Sequence, residues 1–273
     1  MEDFKDKVVV ITGGATGIGF GLAKRFGALG AKIVIGEPRQ DRLDEAMATL
    51  AELGIDAAAM VMDVTQPDSM HSFADFAWDT YGGAHVLINN AGISVGRAPL
   101  PEVKLEDMRR LFDVNLFGVW HGAAIFGKRM IAQGEPAAIY NVASENAFFN
   151  AVTNSAAYIA SKHAVRGLTE AMRDDFPDFI KVGMIVPGFV ASEMTVGSEQ
   201  FAMDADTFAE KVVTQIAAGE FYVVTHAYNI ERIKPIHDRI EDAYARNAPR
   251  YEGDDEYDVP TLIARLRAGR DGT

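Results

Sequence analysis

The sequence predicts an α/β protein built on a parallel sheet with helices on both faces. Three observations lead there. Short apolar runs rich in β-branched residues alternate with helix-length segments, as βαβ units require. The runs are almost continuously apolar rather than alternating, which suits strands covered on both sides. The first of them passes straight into a glycine-rich turn that opens a helix.

Taken in order, the first strand is "KVVVIT" (Lys7 to Thr12), followed by a helix over Gly17 to Leu29. "KIVIG", "AAAMVM", "VLINN", "AAIYNV" and "KVGMIV" repeat the strand signal after segments of helical length, and a last short strand, "FYVV", begins at Phe221. Connections are short except after Pro187. Gly188 to about Asp206 holds Gly, Ser, Met and acidic residues with no clean period, which reads as a substrate lid at about 188–206. "EGDDEYD" (Glu252 to Asp258) reads as an acidic loop, and the basic amphipathic "TLIARLRAGR" after it as a solvated tail or an oligomer contact, the tail starting at about residue 250. No repeat, low-complexity tract or long linker divides the chain, so a single domain is expected over residues 1–273.

A length of 273 residues with 48% hydrophobic content is enough for one sizeable core. The absence of cysteine excludes disulfides, thiolate metal sites and thiolate nucleophiles, and fits a reducing compartment. "MEDFKDK" lacks the basic-then-apolar pattern of a secretory signal, and no apolar run approaches the ~18 residues of a membrane span, so a soluble, cytoplasmic protein is expected. A net charge of −13 repels nucleic acid and anionic membranes, which leaves a small molecule as the expected partner. His71, His121 and His163 show no metal-ligand spacing, so no metal is expected.

In "TGGATGIGFG", Gly13, Gly17 and Gly19 stand where the backbone turns tightly and comes close to a ligand, with Thr16 and Ile18 between them. The helix N-terminus behind them offers unpaired N–H groups suited to a pyrophosphate. Glu37 lies 20 residues after Gly17, at the end of the second strand, where a carboxylate accepts hydrogen bonds from both ribose hydroxyls and repels a 2′-phosphate. This favours NAD over NADP, with Arg39 pulling the other way. Asp63, followed by Val64 in "MDV", is placed to reach the adenine edge; a turn or capping role is the alternative.

Six ordered motifs carry a resemblance to the short-chain dehydrogenase/reductase (SDR) family. "TGGATGIG" resembles the family's TGxxxGxG loop, and "NNAG" (Asn89 to Gly92) its motif after the fourth strand. Asn115 in "VNLFG", Ser144 in "NVAS", Tyr158 and Lys162 in YxxxK, and "PGFVAS" (Pro187 to Ser192) follow in the family's order. The resemblance covers roughly Lys7 to Met194. It implies a single doubly wound, Rossmann-type domain with a seven-stranded parallel sheet, a nicotinamide cofactor across the carboxyl ends of the strands, and a homodimer or homotetramer. The cofactor contacts it implies include Asn90, Ala91, Gly92, Tyr158, Lys162, Pro187, Gly188, Val190 and Ser192, the last against the nicotinamide carboxamide. Three departures stand out. Ser144 and Tyr158 are 14 apart, a wider spacing than is commonest in the family. His85 stands where an Asp often precedes the NNAG strand, and Glu145 and Asn146 follow the serine where small residues are usual.

Tyr158 and Lys162 at i and i+4 share a helix face. Oxidation of an alcohol by hydride transfer needs a base for the hydroxyl proton, and a phenol with pKa near 10 is a poor one at neutral pH. Lowering it by about three units takes roughly 4 kcal/mol. One ammonium at ~4–5 Å in an effective dielectric near 20 supplies about 3–4 kcal/mol. The resemblance implies that Ser144 bonds the substrate oxygen and that Asn115 holds a water relaying protons from Lys162; the structural alternatives are a helix kink at Asn115, a strand-end turn at Ser144 and a helix cap at Ser192.

The substrate side is expected to be lined by Ser94, Glu145, Phe148, Phe149, Val152, Phe189 and Met194, an aromatic and Met-rich wall suited to a bulky apolar or aromatic secondary alcohol or ketone. "MEDFKDKVVVITGGATGIGFGLAKRFG" and "FYVVTHAYNIERI" look like the ends of bacterial lignin-catabolic aryl-alcohol dehydrogenases of this family, which implies NAD-dependent oxidation of a benzylic alcohol. A steroid or alicyclic hydroxyl is the competing substrate, and a catalytically silent dinucleotide-binding regulator is the alternative of another class.

Overall fold

A computed structural model describes residues 3–270 of the chain. Seven strands, all parallel, run in the order β3-β2-β1-β4-β5-β6-β7. They are β1 (Val8–Thr12), β2 (Lys32–Glu37), β3 (Ala57–Val61), β4 (Val86–Asn89), β5 (Ala137–Val142), β6 (Ile180–Val186) and β7 (Tyr222–Val224). This is the doubly wound α/β arrangement expected, and each strand signal in the sequence falls on a strand, with ends shifted by a residue or two.

The apolar runs are continuous because successive side chains enter two different cores. Val9 and Ile11 of β1 join Ile33, Ile35, Val86 and Ile88 on one face, under α1 (Gly17–Ala28), α2 (Gln40–Glu52) and α7 (Ala205–Ala218). Val8 and Val10 join Val34, Leu87 and Ile139 on the other, where α3 (Pro67–Tyr81) and α5 (Gly118–Gln133) bring Phe73, Phe126 and Met130. A fully buried Leu, Ile or Phe contributes roughly 1.5–3 kcal/mol, so replacing one face by polar residues would unseat a whole helical layer.

Strand order reverses between β1 and β4, and the crevice at their carboxyl ends is where open α/β sheets take ligands. Toward that crevice α4 (Leu105–Phe112) runs into α5 through a π-helical turn, Asp113–Phe117. Such a turn is a frequent mark of a functional position. α6 (Ala156–Asp175) follows β5. The stretch expected as a lid is ordered into short 3-10 turns at Glu193–Thr195 and Glu199–Phe201, and its base is stitched by Ala191 N to Met203 O and Met203 N to Phe189 O, both 2.9 Å. Asp204 then caps α7 through Asp206 N (3.1 Å) and Thr207 N (2.9 Å), a cap of about 1 kcal/mol.

The chain divides into two compact units, one through Asn229, which holds the sheet, and one from Ile230. The second begins with α8 (Asn229–Asn247) and ends with α9 (Val259–Arg270). The acidic loop between them is a capped turn: Arg250 Nη2 donates to Asp254 at 2.8 Å, and Asp258 accepts Thr261 N at 2.9 Å at the head of α9. Residues 1–2 and the last three residues of the expected tail lie outside the described residues. Among the described residues no helix is long and apolar enough to cross a membrane.

Candidate active site

A cleft of about 880 Å³ opens at the crevice. Of the residues singled out in the sequence, Gly13, Thr16, Gly17, Ile18, Glu37, Asp63, Val64, Asn90, Ala91, Gly92, Ser94, Ser144, Glu145, Val152, Tyr158, Lys162, Pro187, Gly188, Phe189, Val190, Ser192 and Met194 line it. Gly19, Asn115, Phe148 and Phe149 lie outside it.

The dinucleotide end is assembled by backbone. Gly13 has φ +61°, and a Cβ there would lie 2.9 Å from Ala91 Cα, so the turn and the loop after β4 meet without side chains between them. Asn90 splints them: its Nδ2 donates to Thr12 O (3.0 Å) and Gly13 O (2.8 Å), while Thr12 Oγ1 accepts Asn90 N (3.0 Å) and Ala91 N (3.1 Å). Gly19 is a packing residue, not a wall of the cleft, because a Cβ on it would stand 2.3 Å from Gly13 O and 2.5 Å from Asn90 Nδ2. The first turn of α1 borders the cleft with no side-chain cap and no acidic residue among the described residues. Its N–H groups and partial positive charge therefore suit a diphosphate. Glu37 is buried at the tip of β2 and accepts a hydrogen bond from Arg39 Nε; Arg39 Nη1 also reaches Glu193 at 2.9 Å, and these partners push its pKa up. Asp63 borders the cleft, and its carboxylate accepts Thr65 N at 2.9 Å, the turn role expected as its alternative.

At the other end Tyr158 and Lys162 project from one face of α6, with Lys162 Nζ 5.6 Å from the Tyr158 ring centroid and donating to Val142 O at 3.0 Å. Ser144 terminates β5, its Oγ accepting Asn146 N (3.2 Å) and Nδ2 (3.3 Å), and its hydroxyl is hydrogen-bonded to Tyr158. Burial brings the Lys162 ammonium down to about 8. Burial also pushes the Tyr158 phenol up; the Ser144 hydrogen bond works the other way, and the Glu145 charge raises it further. In the unloaded protein burial thus dominates at Tyr158, while the Lys162 ammonium is directed at a backbone carbonyl. Glu145 is itself raised by burial, against a hydrogen bond from Asn229 and the proximity of His226.

Asn115 stands at an irregular turn of the helix, as its structural alternative expected. It is fully buried in the π turn, Oδ1 accepts Ile93 N at 2.8 Å, and Nδ2 donates to Ile93 O (3.0 Å) and Ser161 Oγ (3.3 Å). Its amide pins the loop after β4, so its side chain has a positioning role. Phe148 and Phe149 leave the substrate wall because a 3-10 turn over Glu145–Ala147 swings the chain aside, with Ala147 N on Ser144 O at 2.9 Å. Phe148 stacks under Arg166 at 4.4 Å and meets Tyr222 edge-on at 6.0 Å. Ser192 caps the Glu193–Thr195 turn, and a Cβ on Gly17 would lie 3.0 Å from its Cβ, so the lid rests on the glycine loop.

Sequence reasoning placed Asn146 only within the substrate-side stretch 145–152 and assigned no role to His226 or Glu193. Asn146 carried a faint signal, as a large polar residue where small ones are usual. His226 carried none: it accepts Gly188 N at 3.2 Å on Nδ1, a contact only the folded chain brings about.

With this geometry in place, comparison with known proteins decides the family. Residues 7–202 match the family described as short chain dehydrogenase. The chain belongs to the short-chain dehydrogenase family. Among curated SDR relatives, a C alpha-dehydrogenase of Sphingobium sp. strain SYK-6 is 29% identical over 100% of this chain and 96% of its own length. A 3-alpha-(or 20-beta)-hydroxysteroid dehydrogenase of Mycobacterium bovis is 38% identical over 69% of this chain and 71% of its own. Among solved structures, an SDR from Burkholderia phymatum in complex with NAD superposes with a TM-score of 0.83 at 29% identity, covering 89% of this chain and 97% of that one.

Proposed function

We propose that this SDR oxidises a bulky secondary alcohol to its ketone, or reduces the ketone, with NAD. The observation that carries the reading is the convergence of Ser144, Tyr158 and Lys162 on one cleft with the uncapped α1 N-terminus and Glu37 at its far end. A bound nicotinamide dinucleotide supplies the hydride acceptor. The N–H groups of Thr16 to Ile18 would hold its diphosphate, Glu37 its ribose, and Ser192 and the 187–190 backbone its nicotinamide. Ser144 would hold the substrate oxygen, Tyr158 as phenolate would take the hydroxyl proton, and the Lys162 ammonium would stabilise that phenolate. Asn115 keeps the Ile93 loop in register behind them.

Val152, Phe189 and Met194 favour a bulky apolar substrate. The whole-length match to a C alpha-dehydrogenase supports an aryl carbinol, and the hydroxysteroid dehydrogenase relative supports an alicyclic hydroxyl. A cytoplasmic homodimer or homotetramer completes the proposal, with exposed Phe117, Trp120 and Ile131 around α5 as the surface for self-association. The test is absorbance at the reduced-nicotinamide band with NAD or NADP and a panel of benzylic, steroidal and aliphatic secondary alcohols. Reduction of NAD by an aryl carbinol supports the reading, a steroid-only signal moves the substrate to the alicyclic class, and silence with every alcohol and ketone favours a cofactor-binding regulator.

A further inference from the structure

We propose that Glu193 is a second cofactor-selecting carboxylate. By pairing with Arg39 and Arg42 it withdraws both guanidinium groups from the 2′-phosphate that distinguishes NADP. The inference rests on the reading of the cleft as a dinucleotide site. Arg39 follows the strand-end Glu37 by two residues, where a guanidinium stands ready for a 2′-phosphate. Here it is held on both sides, Nε on Glu37 Oε1 and Nη1 on Glu193 Oε2 at 2.9 Å. Arg42, one turn into α2, reaches the other oxygen of Glu193 at 3.3 Å and Glu45 at 2.9 Å. Two guanidinium groups thus face three carboxylates, and a phosphate entering this corner meets negative charge and arginines already engaged.

Glu193 comes from the other side of the switch point. It lies in the first 3-10 turn of the lid, whose base is fixed by the stitches between 189–191 and Met203. Glu37 sits on the sheet, whereas Glu193 is carried by the lid turn that rests on the glycine loop, so the corner is built from both sides of the cleft. The pairs are about two-fifths exposed, with side-chain accessibilities of 43% for Arg39 and 42% for Glu193, so solvent screening keeps the effect modest. A change of about tenfold in selectivity is the expected scale.

The experiment is a titration of NADH and NADPH by nicotinamide fluorescence, with no substrate, against wild type, Glu193→Gln, and Glu193→Gln combined with Arg39→Gln and Arg42→Gln. Melting curves check that each variant is folded. In Glu193→Gln the ratio Kd(NADPH)/Kd(NADH) falls by about tenfold, and removing both arginines as well restores most of it. A lid latch with no selecting role would change both affinities together and leave the ratio fixed, which overturns the proposal. So does a fall in the ratio that survives loss of Arg39 and Arg42 together. The wild-type ratio reads the NAD assignment separately: an NADPH-preferring wild type removes both claims, whereas an NADH-preferring wild type with an unmoved variant ratio removes only this one.

Discussion

Lys162 Nζ donates to the Val142 carbonyl at 3.0 Å, so a buried ammonium leans on a strand end while its pKa falls to about 8. Charge in this position destabilises the unloaded fold. In the unfolded chain the lysine titrates near 10.4. Below about pH 8 both states are protonated and the penalty is in full force. Between about 8 and 10.4 the unfolded chain holds more protons, so the folded state gains stability as pH rises. Lys162→Met should therefore stabilise the unloaded protein at pH 7 by an amount of order 2–3 kcal/mol, less the lost hydrogen bond, and the advantage should shrink toward pH 10. Denaturant midpoints for both proteins at pH 7 and 9.5 check this; equal pH slopes would refute it.

Tyr158→Phe removes one oxygen from a packed site whose walls stay in place. Turnover should drop by at least about 10³-fold, the scale of a lost general base, while dinucleotide affinity stays within about threefold. Single-turnover rates beside equilibrium titrations separate the two effects. Retained turnover would move the base elsewhere in the cleft.

Glu145 raises Tyr158 through its charge. A neutral amide at the same place relieves the repulsion, so Glu145→Gln should lower the phenol pKa and shift the alkaline-rising limb of oxidation toward lower pH. The sign is fixed because the phenolate, the form that accepts the proton, carries the same charge as the carboxylate. A limb that stays put would mean that Glu145 is protonated throughout the working range, and one that moves up would refute the repulsion.

The layers of the fold were legible because strand and helix patterns report burial locally. Val8 to Ile11 are apolar without interruption since two cores claim alternate residues. Tyr158, Lys162 and Ser144 were legible as members of an ordered set of motifs, and helix spacing explains only why Tyr158 and Lys162 share a face. Phe148 was not. Its direction depends on a 3-10 turn after Ser144 and on Arg166 stacking against it from α6, and neither leaves a mark at residue 148. The effect of burial on Tyr158 and Lys162 was not legible for a related reason: spacing gives the distance between charges, whereas desolvation depends on everything packed around them. Glu193 was missed because its partners lie more than 150 residues earlier in the chain and only the fold brings them together.

Two glycines separate close packing from propensity. At Gly19 a methyl group would stand 2.3 Å from Gly13 O, a backbone atom that cannot turn aside, so either α1 retreats from the turn or the turn opens. Gly19→Ala should cost about 1–3 kcal/mol in stability, as overpacking does, and weaken dinucleotide binding by more than about tenfold because the displaced atoms carry the cradle. Gly167 lies exposed on α6 with open space where its Cβ would go and no positive φ. Gly167→Ala should instead stabilise by roughly 0.5–1 kcal/mol through backbone entropy alone, with cofactor affinity unmoved. Denaturation and titration of the two variants side by side give opposite signs if the cradle is as close-packed as described. If Gly19→Ala bound dinucleotide normally, the glycine turn could not be the element that positions the diphosphate.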